Sequence, residues 1–261
     1  MPLFSHAHLL LFLLILIANH AQADLIPDSI PRITYRVLAS YPHDPQAFTQ
    51  GLVLINGQLY ESTGQYGRST VRRVHLQSGQ IEQSIPLAAK LFGEGLIFWR
   101  GRLIQLTWRE RLGIIYNAQT FEQLATFSYQ GEGWGLTHDE QHWILSDGTD
   151  QLRFLDPETQ RVVRRLSIHA DSRPMRWLNE LEYIKGAIWA NVWRSDDILR
   201  IAPDTGAVTG VLNVAALYPL NQRTSAEAVL NGIAYDAASG QVLITGKYWP
   251  RLYAIAIDSE N

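Results

Sequence analysis

Five short segments recur along the chain and constrain its fold more than any other feature. They are Gln50-Gly51-Leu52, Glu94-Gly95-Leu96, Trp134-Gly135-Leu136, Asn179-Glu180-Leu181 and Asn231-Gly232-Ile233. Their first residues lie 44, 40, 45 and 52 positions apart. After each comes an apolar or alternating stretch, a turn and a second stretch. Residues 52–55, Asn56-Gly57 and residues 58–60 are an example, and they read as a hairpin through an Asn-Gly turn. A third stretch follows in every repeat (residues 70–74, 113–116, 152–155, 198–201 and 252–257), then a turn such as Asp156-Pro157-Glu158-Thr159. Four repeats end in a fourth stretch, over residues 80–86, 122–129, 161–168 and 207–214. Four antiparallel strands at a period of about 40 to 50 residues are the signature of a β-propeller blade.

The fifth repeat stops after its third strand, at Ile257, and the missing strand is found at the other end of the chain. Residues 33–41 lead into Gln50-Gly51 as residues 122–129 lead into Trp134-Gly135. A strand from the N-terminal side that completed the last blade would close the ring and cover both open sheet edges. The expected fold is therefore all-β, a five-bladed β-propeller closed by an N-terminal strand. The competing architecture, a sandwich of stacked hairpins, would not need the two ends of the chain to complement each other.

Residues 1–23 are a different material. An apolar run over residues 9–18 is followed by Ala21-Gln22-Ala23, the pattern of a secretory signal peptide cleaved after Ala23. The run is short for a membrane span, and the alternative is an uncleaved anchor. The expectation is an exported protein, periplasmic or extracellular, with residues 24–261 forming one propeller domain. Composition narrows the function. With Lys+Arg 22 against Asp+Glu 25 the net charge is -3, which argues against nucleic acid as a partner. The absence of cysteine excludes disulfide frameworks, thiolate zinc sites and cysteine nucleophiles.

Register predicts where a site would lie. In a propeller the start of each innermost strand and the end of the strand returning beside it share one face. Fourteen residues beyond Gln50, Glu94, Trp134 and Asn179 stand Gly64, Trp108, Gly148 and Trp193. In the last repeat the hairpin near residues 236–240 is two residues longer, and sixteen residues beyond Asn231 is Lys247. One face thus carries Gln, Glu, Trp, Asn and Asn around the axis, with Trp108, Trp193 and Lys247 beside them. Convergent polar groups within aromatic walls are the usual makings of a ligand site.

Each residue also has a plainer explanation: tryptophans pack between blades, Asn and Gln close turns, and lysine is most often solvated. Glu94 resists that treatment, because it lies between glycines in Phe92-Gly93-Glu94-Gly95 at an axis-facing position. Burial of a carboxylate there would raise its pKa into the range useful for proton transfer. Glu180, one step off the ring, and Glu182 are the next carboxylates in line. No histidine cluster suggests a metal, since His43, His75, His138, His142 and His169 are scattered and the pair His138 and His142 falls at a hairpin tip. No nucleophile elbow, phosphate loop or dinucleotide fingerprint is present. No cofactor is expected.

Several segments together carry a resemblance. They are Pro42-His43-Asp44-Pro45 before Phe48-Thr49-Gln50-Gly51-Leu52, then FGEGL (residues 92–96), GWGL (133–136), SDGT (146–149), LNELEY (178–183), WANVW (189–193), LNGIAY (230–235) and TGKYWP (245–250). In this set the chain closely resembles the plant and bacterial type of glutaminyl cyclase, the glutamine cyclotransferase family, over about residues 33–257. The resemblance implies a five-bladed propeller that converts N-terminal glutamine of peptides or proteins to pyroglutamate and releases ammonia. It implies a catalytic Glu94 and an active-site lining of Phe48, Gln50, Phe92, Trp108, Trp134, Asn179, Trp193 and Lys247. In this reading Glu94 moves the protons with Lys247 and Asn179 assisting, and no metal takes part. Gln50 also holds the substrate, the Phe and Trp residues wall it in, and the enzyme is a monomer. Two alternatives stay open: a non-catalytic propeller that binds a peptide or sugar in the same mouth, and a metal-assisted lactonase-type propeller, which would need more carboxylates around the axis.

Overall fold

A computed structural model describes residues 26–258. Apart from one 3-10 turn at Leu220–Gln222, its regular structure is all strand. Five sheets of antiparallel strands are arranged as the blades of a propeller. Blade 1 runs Thr49–Ile55, Gln58–Thr63, Thr70–Val74 and Ile81–Pro86, from the axis outward. Blade 2 begins at Gly93–Trp99, blade 3 at the short strand Leu136–His138, blade 4 at Leu178–Ile184 and blade 5 at Leu230–Asp236. Asn-Gly, Arg-Gly and Lys-Gly pairs turn the inner hairpins of blades 1, 2 and 4. Both residues of each pair hold positive φ, for instance 50° at Asn56 and 78° at Gly57, as a two-residue hairpin loop demands.

The blade completed by both ends of the chain is blade 5, in the order Tyr35–Pro42, Arg251–Ile257, Gln241–Gly246, Leu230–Asp236. The N-terminal segment departs from the single predicted strand in one respect. It breaks at Thr34, and Arg32–Ile33 pairs in parallel with the outer strand of blade 4, Arg32 opposite Val211. The reason is local. Gly210 leaves the space into which Ile33 packs, and a Cβ there would come within 2.6 Å of the Ile33 side chain. One segment therefore straps blade 4 to blade 5 before completing the latter.

The core is divided by the blades. Five apolar clusters are found among the described residues, one in each gap between neighbouring blades. The two-residue strand period supplies them: Leu96 and Leu103 of blade 2 face blade 1, whereas Ile97 and Ile104 face blade 3. The gap between blades 5 and 1 also holds a buried ionic clasp. Glu61 of blade 1 takes two hydrogen bonds from Arg72 (2.8 and 2.6 Å) and one from Thr49 (2.7 Å), and its other neighbour is His43 at 3.1 Å. His43, just past the closing strand, bonds through Nδ1 to the Trp249 carbonyl at 2.6 Å. Burial alone would push Glu61 upward, but Arg72 and His43 hold its carboxyl well below the usual range.

Around the axis the recurrent glycine is a packing requirement. A Cβ on Gly51 would lie 2.4 Å from the Leu96 nitrogen, one on Gly95 2.5 Å from that of Leu136, and one on Gly135 2.0 Å from the Asn179 carbonyl oxygen. The innermost strands thus approach until backbone meets backbone, as the 2.7 Å bond from the Gly95 amide to the Trp134 carbonyl illustrates. Among the described residues no helix is long and apolar enough to cross a membrane.

Candidate active site

At the end of the axis where the inner strands begin, a cavity of about 630 Å³ opens to solvent. Its position follows from a repeated irregularity. In blades 1, 2, 4 and 5 the pairing of the first two strands slips immediately after the first residue pair: Thr49 faces Thr63 but Gly51 faces Ser62, and Gly93 faces Thr107 but Leu96 faces Gln105. The slip falls on Gln50, Glu94, Asn179 and Asn231. A bulge re-aims side chains that regular alternation would send into the blade interfaces, and the first three of these reach the cavity.

All nine residues predicted for the site line this one cavity: Phe48, Gln50, Phe92, Glu94, Trp108, Trp134, Asn179, Trp193 and Lys247. Arg109, Glu132, Trp177 and Glu227 line it too, and were not anticipated. Arg109 and Glu132 had signals, the first as the neighbour of Trp108, the second as the centre of Gly131-Glu132-Gly133, which repeats the setting of Glu94. Glu227 lies in the long connection between blades 4 and 5, outside the repeat, where register offers no guide.

One expectation is corrected. Asn231 does not line the cavity, because its Nδ2 donates to the Thr49 carbonyl and to Gln50 Oε1, both at 2.9 Å. Glu180 and Glu182 do not line it either. Their carboxylates accept the backbone N–H groups of Ile233 and Tyr235 in blade 5, each at 2.8 Å. Burial pushes Glu180 well above the carboxylate range and Glu182 up to about 8, so both serve as inter-blade acceptors beneath the site.

The polar floor is held rigidly. Ser62 donates to the Glu94 carbonyl and receives Gln105 Nε2 at 2.7 Å, while the Gly93 amide donates to Ser69 Oγ at 2.9 Å. Glu94 itself is 4% exposed. Burial pushes its pKa well above the usual value; the charge of Lys247 and a hydrogen bond from Gln50 pull it down, and Glu132 and Glu110 push it further up. Lys247 is also buried, with Nζ 4.4 Å from the centre of the Phe48 ring, and burial lowers it to about 8 against the pull of Glu94. Asn179 is buried with its Oδ1 lacking any hydrogen-bond partner in the protein. Such an orphaned acceptor is costly unless something else supplies a donor.

Two aromatic arcs form the walls. Phe48, Phe92 and Trp108 follow one another at centroid distances of 5.9 and 5.5 Å, and Trp193 lies 5.8 Å from Trp134 and 5.4 Å from Trp177. Glycines make room for the rings: a Cβ on Gly64 would come within 2.4 Å of Phe92, and one on Gly148 within 2.8 Å of Trp134. Among the described residues no group of three or more His, Asp or Glu side chains converges as metal ligands would.

Fold and site define a class, the five-bladed propeller with a buried glutamate and a buried lysine at the floor of an aromatic-walled mouth. The sequence profile of the glutamine cyclotransferase family matches residues 8–257. A glutaminyl-peptide cyclotransferase of Arabidopsis thaliana is 41% identical over 225 residues, which is 85% of this chain and 70% of that one. The crystal structure of Myxococcus xanthus glutaminyl cyclase superimposes with a TM-score of 0.84 at 38% identity, covering 89% of this chain and all of the other. The chain belongs to the glutamine cyclotransferase family.

Proposed function

We propose that this protein is a glutaminyl-peptide cyclotransferase acting on peptides and proteins with N-terminal glutamine. The observation that carries the reading is the convergence of Glu94, Lys247 and Asn179 on one aromatic-walled cavity. Glu94 and Lys247 are both buried at its floor, and burial biases each toward its neutral form. A carboxyl whose proton affinity is raised by burial can take up and return a proton within one turnover.

The reaction needs that service. The substrate's α-nitrogen attacks the γ-carboxamide carbon of the same residue, an N–C bond forms, and the bond to the amide nitrogen breaks to release ammonia. The amine, with a pKa of about 7.7 to 8.0, is already a fair nucleophile. The attacking nitrogen must lose a proton and the departing NH2 must gain one. Glu94 accepts the first and donates it to the second, a role worth about 10²- to 10⁴-fold. Asn179 Oδ1 takes an N–H of the substrate, which satisfies its orphaned acceptor. Lys247 stabilises the oxygen on which charge develops. The aromatic walls fold the side chain back on itself and exclude water, and holding that geometry removes several kcal/mol of barrier.

In reaction class this is an acyl transfer from the amide nitrogen to the peptide's own amine, and it proceeds without a metal. The absence of a converging ligand group among the described residues supports the second point. In the same reading the enzyme acts as a monomer. It is exported after removal of residues 1–23, which lie outside the described residues. The mass of the mature protein, with light scattering for its size in solution, tests both. The central experiment is incubation of purified protein with a Gln-initiated peptide, following ammonia release and the matching mass loss, before and after exhaustive chelation. Binding without ammonia release would leave only a peptide-binding propeller, and activity lost on chelation and restored by zinc would overturn metal independence.

A further inference from the structure

The two aromatic arcs belong to different parts of the molecule, and one side chain joins them. Trp108 follows the second strand of blade 2, and Trp134 precedes the first strand of blade 3. Between them lies Glu132, whose Oε2 accepts both indole N–H groups, from Trp108 at 2.7 Å and from Trp134 at 2.9 Å. Its Oε1 receives Arg109 Nε at 3.2 Å, and the Arg109 guanidinium stacks 3.8 Å above the Trp108 ring. An indole has a single polar hydrogen, so each ring's one directional tether ends on the same oxygen.

The tether is itself anchored. Arg153, from the third strand of blade 3, donates to the backbone carbonyls of Gln130 and Glu132, the latter at 2.7 Å, and its guanidinium is paired with Asp147 at 3.3 Å. Gly131 has φ +75°, the conformation that lets the segment turn beneath the mouth. Partial burial works against ionisation of Glu132, but the bonds from Trp134, Trp108 and Arg109 prevail and hold its pKa below the usual range.

We propose that Glu132 is a positioning residue of the site: its carboxylate ties the two aromatic arcs into one wall and supplies a fixed negative charge facing Glu94. The proposal deepens the cyclotransferase reading and rests on it for its kinetic consequence. A wall displaced by about 1 Å costs on the order of 10²-fold where ring closure depends on near-attack geometry. The charged and titratable groups that interact with Glu94 are Lys247, Glu132, Glu110, Tyr66 and Tyr129. Loss of the Glu132 charge therefore makes Glu94 easier to ionise.

Two variants separate the two parts. In Glu132→Gln the amide oxygen still accepts both indoles but the charge is gone, whereas Glu132→Ala removes charge and tether together. Kinetics on a Gln-initiated dipeptide amide across pH are paired with near-ultraviolet circular dichroism, which reads the tryptophans without turnover. For Glu132→Ala we expect an altered aromatic spectrum and a fall of about tenfold or more in kcat/KM. For Glu132→Gln we expect the wild-type aromatic spectrum, with the acid limb of the pH profile moved to lower pH. A folded Glu132→Ala with wild-type kinetics within twofold and an unchanged spectrum overturns the proposal. If that variant does not fold, an unmoved acid limb in Glu132→Gln overturns it. If wild type releases no ammonia at all, the cyclotransferase reading fails while the spectrum of Glu132→Ala still decides the tether.

Discussion

Replacing Glu94 by glutamine tests the mechanism most directly. The backbone around it has nowhere to go. A Cβ on Gly93 would meet the Thr63 carbonyl oxygen at 2.7 Å, and one on Gly95 the Leu136 nitrogen at 2.5 Å, so both flanking residues are locked against neighbouring strands. Glutamine is nearly isosteric, and it removes proton transfer while leaving the packing in place. The expected fall in kcat is about 10²- to 10⁴-fold, or about 2.7 to 5.4 kcal/mol at 1.36 kcal/mol per decade. A second effect is separable. Glu94 opposes the burial that lowers Lys247 to about 8, so without it Lys247 loses its proton more readily. The variant is therefore compared with wild type, on one substrate, across pH. The part of the deficit that shrinks at lower pH belongs to Lys247, and the part that persists belongs to proton transfer by Glu94. Trp193→Ala provides the contrast, a raised KM with a smaller change in kcat, because a wall contributes to ground and transition states alike. A folded Glu94→Gln enzyme with kcat within a few-fold of wild type would refute the reasoning, and Glu132 would then be the carboxylate to examine.

The remaining predictions concern charge and stability. Lys247, charged below about pH 8 and neutral above it, gives wild type an alkaline limb that Lys247→Met lacks. The ratio of wild-type to variant rate should fall as pH rises through 8, and a ratio that stays constant would remove Lys247 from the chemistry. Glu61→Gln leaves Arg72 with only the partly exposed Asp44, at 2.9 Å, as counter-charge. It should destabilise the protein in urea unfolding at neutral pH by less than a buried pair broken outright, which costs about 3 to 5 kcal/mol. Because the folded carboxyl of Glu61 is held below its ordinary value of 4.5, its contribution is present in full above that value and is lost as pH falls through the folded pKa. The stability gap between wild type and variant should accordingly close in acid, and a gap independent of pH would show that the clasp is not ionic.

Periodicity alone carried the architecture. A strand has its side chains on alternate faces, so five repeats of three or four strands, four of them with a glycine at the same step, leave few ways to bury every apolar face. The absent fourth strand of the last repeat identified the closing partner at the other end of the chain, and Tyr35–Pro42 pairs with Arg251–Ile257 accordingly. Counting from Gln50, Glu94, Trp134, Asn179 and Asn231 to the ends of the second strands predicted seven residues of the cavity lining, and the family resemblance added Phe48 and Phe92. Tertiary structure decided what counting could not. The bulges that turn Gln50, Glu94 and Asn179 into the mouth leave Asn231 bonded to Gln50 instead, because a slip in register depends on how neighbouring inner strands meet at the axis. Glu94, Glu132, Glu180 and Glu182 are the same residue type and look alike in sequence. Their separation into a buried acid at the floor, an ionised tether and two inter-blade acceptors comes from burial and from the donors within reach, both of which exist only once the five blades have closed.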